Sequence, residues 1–233
     1  MKSTAFDVQP QACDVPDSVQ VIFVSDMFVT DYVGGAELTT EALIGTSPLS
    51  VMRVHSKDVT EQLLEAGHRK FWVFGNFAAL DQRLIPTIIA NMGYAVLEYD
   101  YKYCRYRSPE KHLAAEGLPC DCATQWHGKM VYAFLHGAKS VWWMSERQRS
   151  RYTSVFPTLA QHRNTVLSSV FSDATLATIS ELRRLSVGTT RKGWIVLGAS
   201  SWIKGQAEAE AWCRAAGKEY ELVWDVEYGE LLG

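Results

Sequence analysis

Apolar and polar positions along this chain follow two alternating periods. The runs Val19–Val24, Leu49–Val54, Lys70–Phe74, Tyr94–Tyr99 and Ser140–Met144 are short and rich in β-branched and aromatic residues, which predicts buried strands. Between them lie segments of helical spacing. From Gly34, the residues Ala36, Leu38, Ala42 and Leu43 share a face. Lys57–Ala66 places Val59, Leu63 and Leu64 on one side and stops at Gly67. Leu80–Met92 holds Pro86, which predicts a kink or a late start. Ala123–His136 reads as a helix, and a polar helix opens at Ser145 and stops near Pro157. Asn164–Val170 is strand-like, and Asp173–Gly193 is polar and reads as a linker. A strand (Trp194–Gly198), a helix (Gln206–Ala216) and a strand (Glu221–Val226) follow. Strands alternating with helices predict right-handed βαβ units, an α/β fold and a parallel sheet with helices on both faces.

Composition narrows this picture little. The chain has 233 residues, 47% hydrophobic and 21% charged, as an ordinary globular protein does. It is long for one domain and short for two. A net charge of −3 supplies no basic field for nucleic acid. Five cysteines, with no secretory signal pattern, predict reduced thiols and a cytoplasmic location. No apolar run reaches the ~18 residues that span a bilayer.

The first candidate chemistry is at Gly34-Gly35. A strand, a glycine pair and a helix start bring bare amides up to an anion, aided by the helix dipole. Glycine allows φ > 0 and close approach, and Glu37 falls in the first turn. The alternative is a plain turn with a first-turn charge, and G-x-G-x-x-G is absent. Asp100–Cys122 is irregular and holds Tyr101, Tyr103, Tyr106 and three cysteines. Cys104, Cys120 and Cys122 with His112 could form a zinc site. The C-x-C spacing is poor for zinc, so free thiols and no metal are the expectation. Trp142 and Trp143 read as core, one ring on each side of a strand, and His127 and His136 as structural. Arg147, Arg149 and Arg151 read as a solvated face or an anionic-acceptor patch.

Several segments together resemble GT-B-fold retaining glycosyltransferases that use nucleotide sugars. VIFVSDMFVTDYVGGAEL is similar to that family's first strand, open connection and glycine pair. YAVLEYDYKYCRYRSPEKHLAAEGLPCDC is similar to its strand ending in His-Asp. SVWWMSERQRSRY is similar to its strand ending in Ser-Glu, and WIVLGASSWIKG to the opening of its donor domain. The resemblance implies a Rossmann-like acceptor domain over residues 19–172, after a lead-in (1–18). A linker (173–193) and the first βαβ unit of a second Rossmann-like domain (194–233) follow. It implies donor contacts from Gly34, Gly35, Glu37, Ser145 and Lys204, with Tyr99 and Asp100 at the reaction centre and no cofactor beyond the nucleotide sugar.

The chain also departs from the family. Tyr99 replaces the family's His, and Ala199 replaces the Arg of its diphosphate clamp. Glu208, Glu210 and Glu219 are not the family's acidic pair, which falls later than this chain extends. The expectation is therefore a glycosyltransferase cut short in its donor domain, acting on an unidentified acceptor. The alternatives are a non-catalytic sugar- or protein-binding module, or an enzyme glycosylating modified DNA bases. Gly34, Gly35, Asp100 and Ser145 are expected along one sheet edge. The second unit is expected to be weakly ordered or to self-associate.

Overall fold

A computed structural model describes residues 5–7, 14–188, 193–198 and 201–224. It divides into two units, Met1–Ser172 and Asp173–Gly233. The first unit is Rossmann-like. Its strands are β1 (Ala5–Asp7), β2 (Val21–Ser25), β3 (Val51–His55), β4 (Phe71–Phe74), β5 (Gly93–Glu98), β6 (Ser140–Trp143) and β7 (Asn164–Val166). They form one parallel sheet in the order β1-β3-β2-β4-β5-β6-β7. Each interior strand is close to the apolar run that predicted it. Every residue of β2 is buried, as a central parallel strand requires.

The sheet's two faces are unequal, and the strand order explains why. Helix α1 (Gly35–Thr46) carries the chain from β2 outward to β3. Helix α2 (Glu61–Ala66) then carries it back past β2 to β4. Right-handed crossovers put helices on opposite faces when the direction of travel reverses. From there α3 (Ile85–Asn91), α5 (Trp126–Gly137) and α6 (Glu146–Val155) all proceed the same way and pack on the α2 face. That face holds the larger core, with Trp72, Phe74, Tyr94 and Trp143 from the sheet against Ile88, Phe134 and Tyr152. Phe134 meets Phe74 edge-on with centroids 5.0 Å apart and stacks on Tyr94 at 4.9 Å. The Tyr94 hydroxyl donates to the Phe134 carbonyl at 2.7 Å, so its burial leaves no orphan. The α1 face holds Val21, Phe23, Val51, Val73 and Leu97 with Ile44. Of the tryptophan pair, Trp143 joins the first core and Trp142 packs against the second.

Three expectations are corrected and one alternative is decided. The 57–66 helix is broken: a 3-10 turn at Ser56–Asp58 precedes α2, whose N-cap Thr60 accepts from the Leu63 amide at 3.2 Å. Pro86 falls in the first turn of α3, so of the two expected outcomes the late start is the one found. The 123–136 helix begins only at Trp126, after a 3-10 turn at Cys122–Thr124. The irregular stretch 100–122 contains α4 (Pro109–Glu116), capped by Ser108 and ended by Gly117 at φ 69°.

The second unit contains α7 (Asp173–Leu185), β8 (Trp194–Leu197), α8 (Gln206–Ala215) and β9 (Tyr220–Val223). Helix α7 occupies much of the stretch read as a linker. Its Asp173 at the start and Arg183 and Arg184 in the last turn suit the helix dipole. β8 and β9 pair in parallel around α8, as a βαβ unit must. Val196 and Cys213 are buried within it, whereas Ile195, Leu197 and Leu222 are exposed. The predicted continuation of the last strand to Val226 lies outside the described residues. Among the described residues, no helix is long and apolar enough to cross a membrane.

Candidate functional site

In a parallel sheet the strands' carboxyl ends share one edge, and a crevice opens where the direction of travel reverses. Here that point is between β2 and β4. Asp26 follows β2 and ties three strand ends together. Its carboxylate accepts from the Ala78 and Ala79 amides, each at 3.1 Å, and from the Ser56 hydroxyl.

Beyond β4 the edge carries a chain of charges. Asp100 follows β5 and pairs with Arg107, whose Nε donates to Asp100 Oδ2 at 2.6 Å. Arg107 Nη2 also donates to Asn76 Oδ1 at 3.0 Å. Arg107 holds this position from a left-handed backbone, φ 55°, which turns the loop back on itself. Lys102, 4% exposed, has its ammonium 3.4 Å from Glu98 Oε2 and 3.6 Å from Asp100 Oδ1. Asp100 Oδ1 is buried and accepts no hydrogen bond. Glu98 Oε1 accepts from the Tyr152 hydroxyl at 2.9 Å and from the Lys102 amide at 3.2 Å. Burial pushes the Glu98 carboxyl above the usual range, and the adjacent Lys102 ammonium opposes it. Two carboxylates and two cations balance, which is how buried charge is tolerated.

A cavity of about 290 Å³ borders this network. Its wall is apolar at Phe77, Leu80 and Val131 and polar at Gln82, Lys102 and Arg107. His127 is also on the wall. Its Nε2 lies 2.7 Å from the Lys102 carbonyl and its Nδ1 3.0 Å from Gln82 Nε2. A carbonyl accepts and an amide nitrogen donates, so this pairing assigns the proton to Nε2.

The sequence-derived site residues take the following places. Tyr99 turns toward α1, with its hydroxyl 2.7 Å from Thr40 Oγ1, and burial raises its pKa above the usual range. Asp100 pairs instead with Arg107 and Lys102. Gly34 caps α1 without a side chain, at φ −139° and ψ 175°, so the glycine pair is not there for positive φ. A Cβ on Gly34 would lie 2.6 Å from Glu37 Oε2 and 2.7 Å from the Tyr32 ring, whereas one on Gly35 would meet nothing within 4 Å. Glu37 is buried in the first turn and is an electrostatic neighbour of Tyr99. The Ser145 hydroxyl is the N-cap of α6 and accepts from the Gln148 amide at 3.1 Å. Gln148 links that cap to Asp100, donating from Nε2 to its backbone oxygen at 2.9 Å. Arg149 pairs with Glu146 and Arg151 with Glu110, as a solvated face would. Lys204 is exposed at the end of a short 3-10 turn in the second unit. Ala199 lies outside the described residues.

Glu98, Lys102, Arg107 and Asn76 were missed. The available signal was a carboxylate closing an otherwise apolar strand, with a lysine four residues on. Among the described residues, the group able to hold a metal is the one the spacing argued against. Cys104, His112, Cys120 and Cys122 place their ligand atoms within 4.8 Å of one another, and all but Cys120 are fully buried. No protein-family model, curated protein or solved structure matches the chain.

Proposed function

We propose that the chain is a sugar-transferring enzyme of the GT-B type, with an acceptor-side first unit and a donor-side second unit. The observation that carries this reading is the cavity beside the Asp100–Arg107 pair at the carboxyl edge. The three cations of its lining, Lys102, Arg105 and Arg107, are each paired with a carboxylate, Glu98, Glu116 and Asp100, and they stand beside an apolar wall. A hydroxyl-rich neutral ligand can use both members of such a pair, whereas a lone cation would select an anion. In this reading the sugar acceptor occupies the cavity and packs on Phe77. Asp100, held by Arg107, orients a hydroxyl at its mouth. Gly35, with open space before its Cβ position, leaves the first amides of α1 accessible to a donor phosphate.

The test is thermal stabilisation and transfer assayed against a panel of nucleotide sugars crossed with mono- and disaccharides. Stabilisation by a saccharide, reduced at least tenfold in affinity by Gln82→Ala, supports the acceptor site. Turnover of a nucleotide sugar establishes the enzyme. Saccharide binding without turnover, in the full-length protein, favours the binding-module reading. Neither binding nor turnover overturns both.

A further inference from the structure

We propose that Cys104, His112, Cys120 and Cys122 bind one structural zinc ion that clamps the β5–α5 connection. The four side chains come from three separate pieces of backbone. Cys104 is in the loop after β5, His112 is on α4, and Cys120 and Cys122 flank the start of the 3-10 turn before α5. Nothing in the chain's local geometry requires them to meet, yet their donor atoms converge within 4.8 Å. His112 Nδ1 is 3.4 Å from Cys122 Sγ and 3.8 Å from Cys104 Sγ. A tetrahedral zinc with Zn–S of about 2.3 Å and Zn–N of about 2.0–2.1 Å has S···N edges of about 3.6 Å.

The cluster is also shielded from solvent, with Cys104, His112 and Cys122 buried and Cys120 half-buried.

The ligand set is three thiolates and one neutral imidazole. Three protons leave to solvent on binding, and the occupied site carries a net charge of −1. All four positions are taken by protein, so the ion holds no water for chemistry; the role is to close a loop. That loop carries Lys102 and Arg107, and Cys104 itself borders the cavity. Zinc would therefore hold the candidate site's rim in place, whichever ligand the cavity takes. This inference does not depend on the proposed activity, and its test reads no activity.

Full-length protein purified without chelator should contain stoichiometric zinc by elemental mass spectrometry. Zinc removed with a strong chelator should return on addition of Zn²⁺ alone. Co²⁺ in its place should give the intense visible bands of a tetrahedral thiolate complex. Chelation should expose Cys104, Cys120 and Cys122 to iodoacetamide and open residues 100–122 to protease. Cys120→Ser, at the least buried ligand, should abolish stoichiometric retention, whereas Cys213→Ser should not. The alkylation pattern of the unaltered protein stands even if Cys120→Ser fails to fold. Protein that neither contains nor takes up zinc overturns the proposal. So does a disulfide among the three cysteines in freshly purified protein.

Discussion

The Tyr152 hydroxyl donates to Glu98 Oε1 at 2.9 Å, and neither side chain is exposed to solvent. This bond joins α6 to the end of β5 beneath the candidate site. Tyr152→Phe keeps the ring, which packs near Trp143 with centroids 4.9 Å apart, and removes only the donor. An acceptor left short inside the core costs about 1–3 kcal/mol. Urea unfolding of the variant should show a lower midpoint and an unchanged slope. An unchanged midpoint would show that Glu98 is satisfied without Tyr152.

Gly128 in α5 should reject a methyl group. A Cβ there would lie 2.1 Å from the Cys122 carbonyl oxygen and 2.8 Å from the Ala123 Cα. Alanine in a helix interior ordinarily outperforms glycine by about 1 kcal/mol. Here the clash is with backbone, so Gly128→Ala should destabilise by about 1–3 kcal/mol, the usual range for overpacking. A thermal melt above that of the parent would refute the close approach.

The two glycines before α1 should respond differently to alanine. Gly35→Ala enters open space in an ordinary helical residue. It should be neutral or stabilise by up to about 1 kcal/mol, through loss of unfolded-state freedom. Gly34→Ala must displace Glu37 and Tyr32, so its melting temperature should fall below that of Gly35→Ala. The reverse order in a side-by-side melt would contradict the placement of Glu37.

The Glu110–Arg151 pair should give an acid-dependent contribution. The hydrogen bond from Arg151 holds the Glu110 carboxyl down at about 2, against an ordinary 4.5. The folded state therefore binds fewer protons than the unfolded state between those values. The contribution is complete above about pH 4.5 and is lost as the pH falls toward 2. The Glu110 side chain is 58% exposed, so solvent screening limits the gain to below about 1 kcal/mol. Glu110→Gln should be less stable than the parent at neutral pH, and the two should converge in acid. A gap that persists at pH 2 would assign the effect to something other than this charge.

The fold was legible wherever a strand was buried on both faces. The run Val19–Val24 needs no partner to be read, because apolar residues on both sides of a strand imply cover on both sides. Helix α4 was not legible in the same way. Its signal, Ser108 as cap with Pro109 behind it, is local and lay inside a stretch dominated by tyrosines and cysteines. Helix α7 does carry an apolar stripe, Leu176, Ile179 and Leu182, but it lies among polar residues and the structure buries none of it, so it was read as a linker. At the site, Asp100 and Gly34 were found from their positions after a strand and before a helix. Lys102 and Arg107 were not, because their pairing depends on the left-handed turn at Arg107, which an arginine does not announce. The thiol cluster was half legible. Seven residues separate His112 from Cys104 and from Cys120, a symmetry that a search for C-x₂₋₄-C pairs passes over.

All four members of the charge network, Glu98, Asp100, Lys102 and Arg107, lie within one stretch of ten residues, from 98 to 107. The site's neutrality is therefore settled at very short range along the chain. It requires no contact of high sequence separation, and so carries little of the loop-closure cost that slows the folding of parallel sheets. Burial of the same charges depends on Tyr152, about fifty residues further on. The stretch can neutralise itself as soon as it emerges from synthesis, well before β6 and α6 exist to cover it.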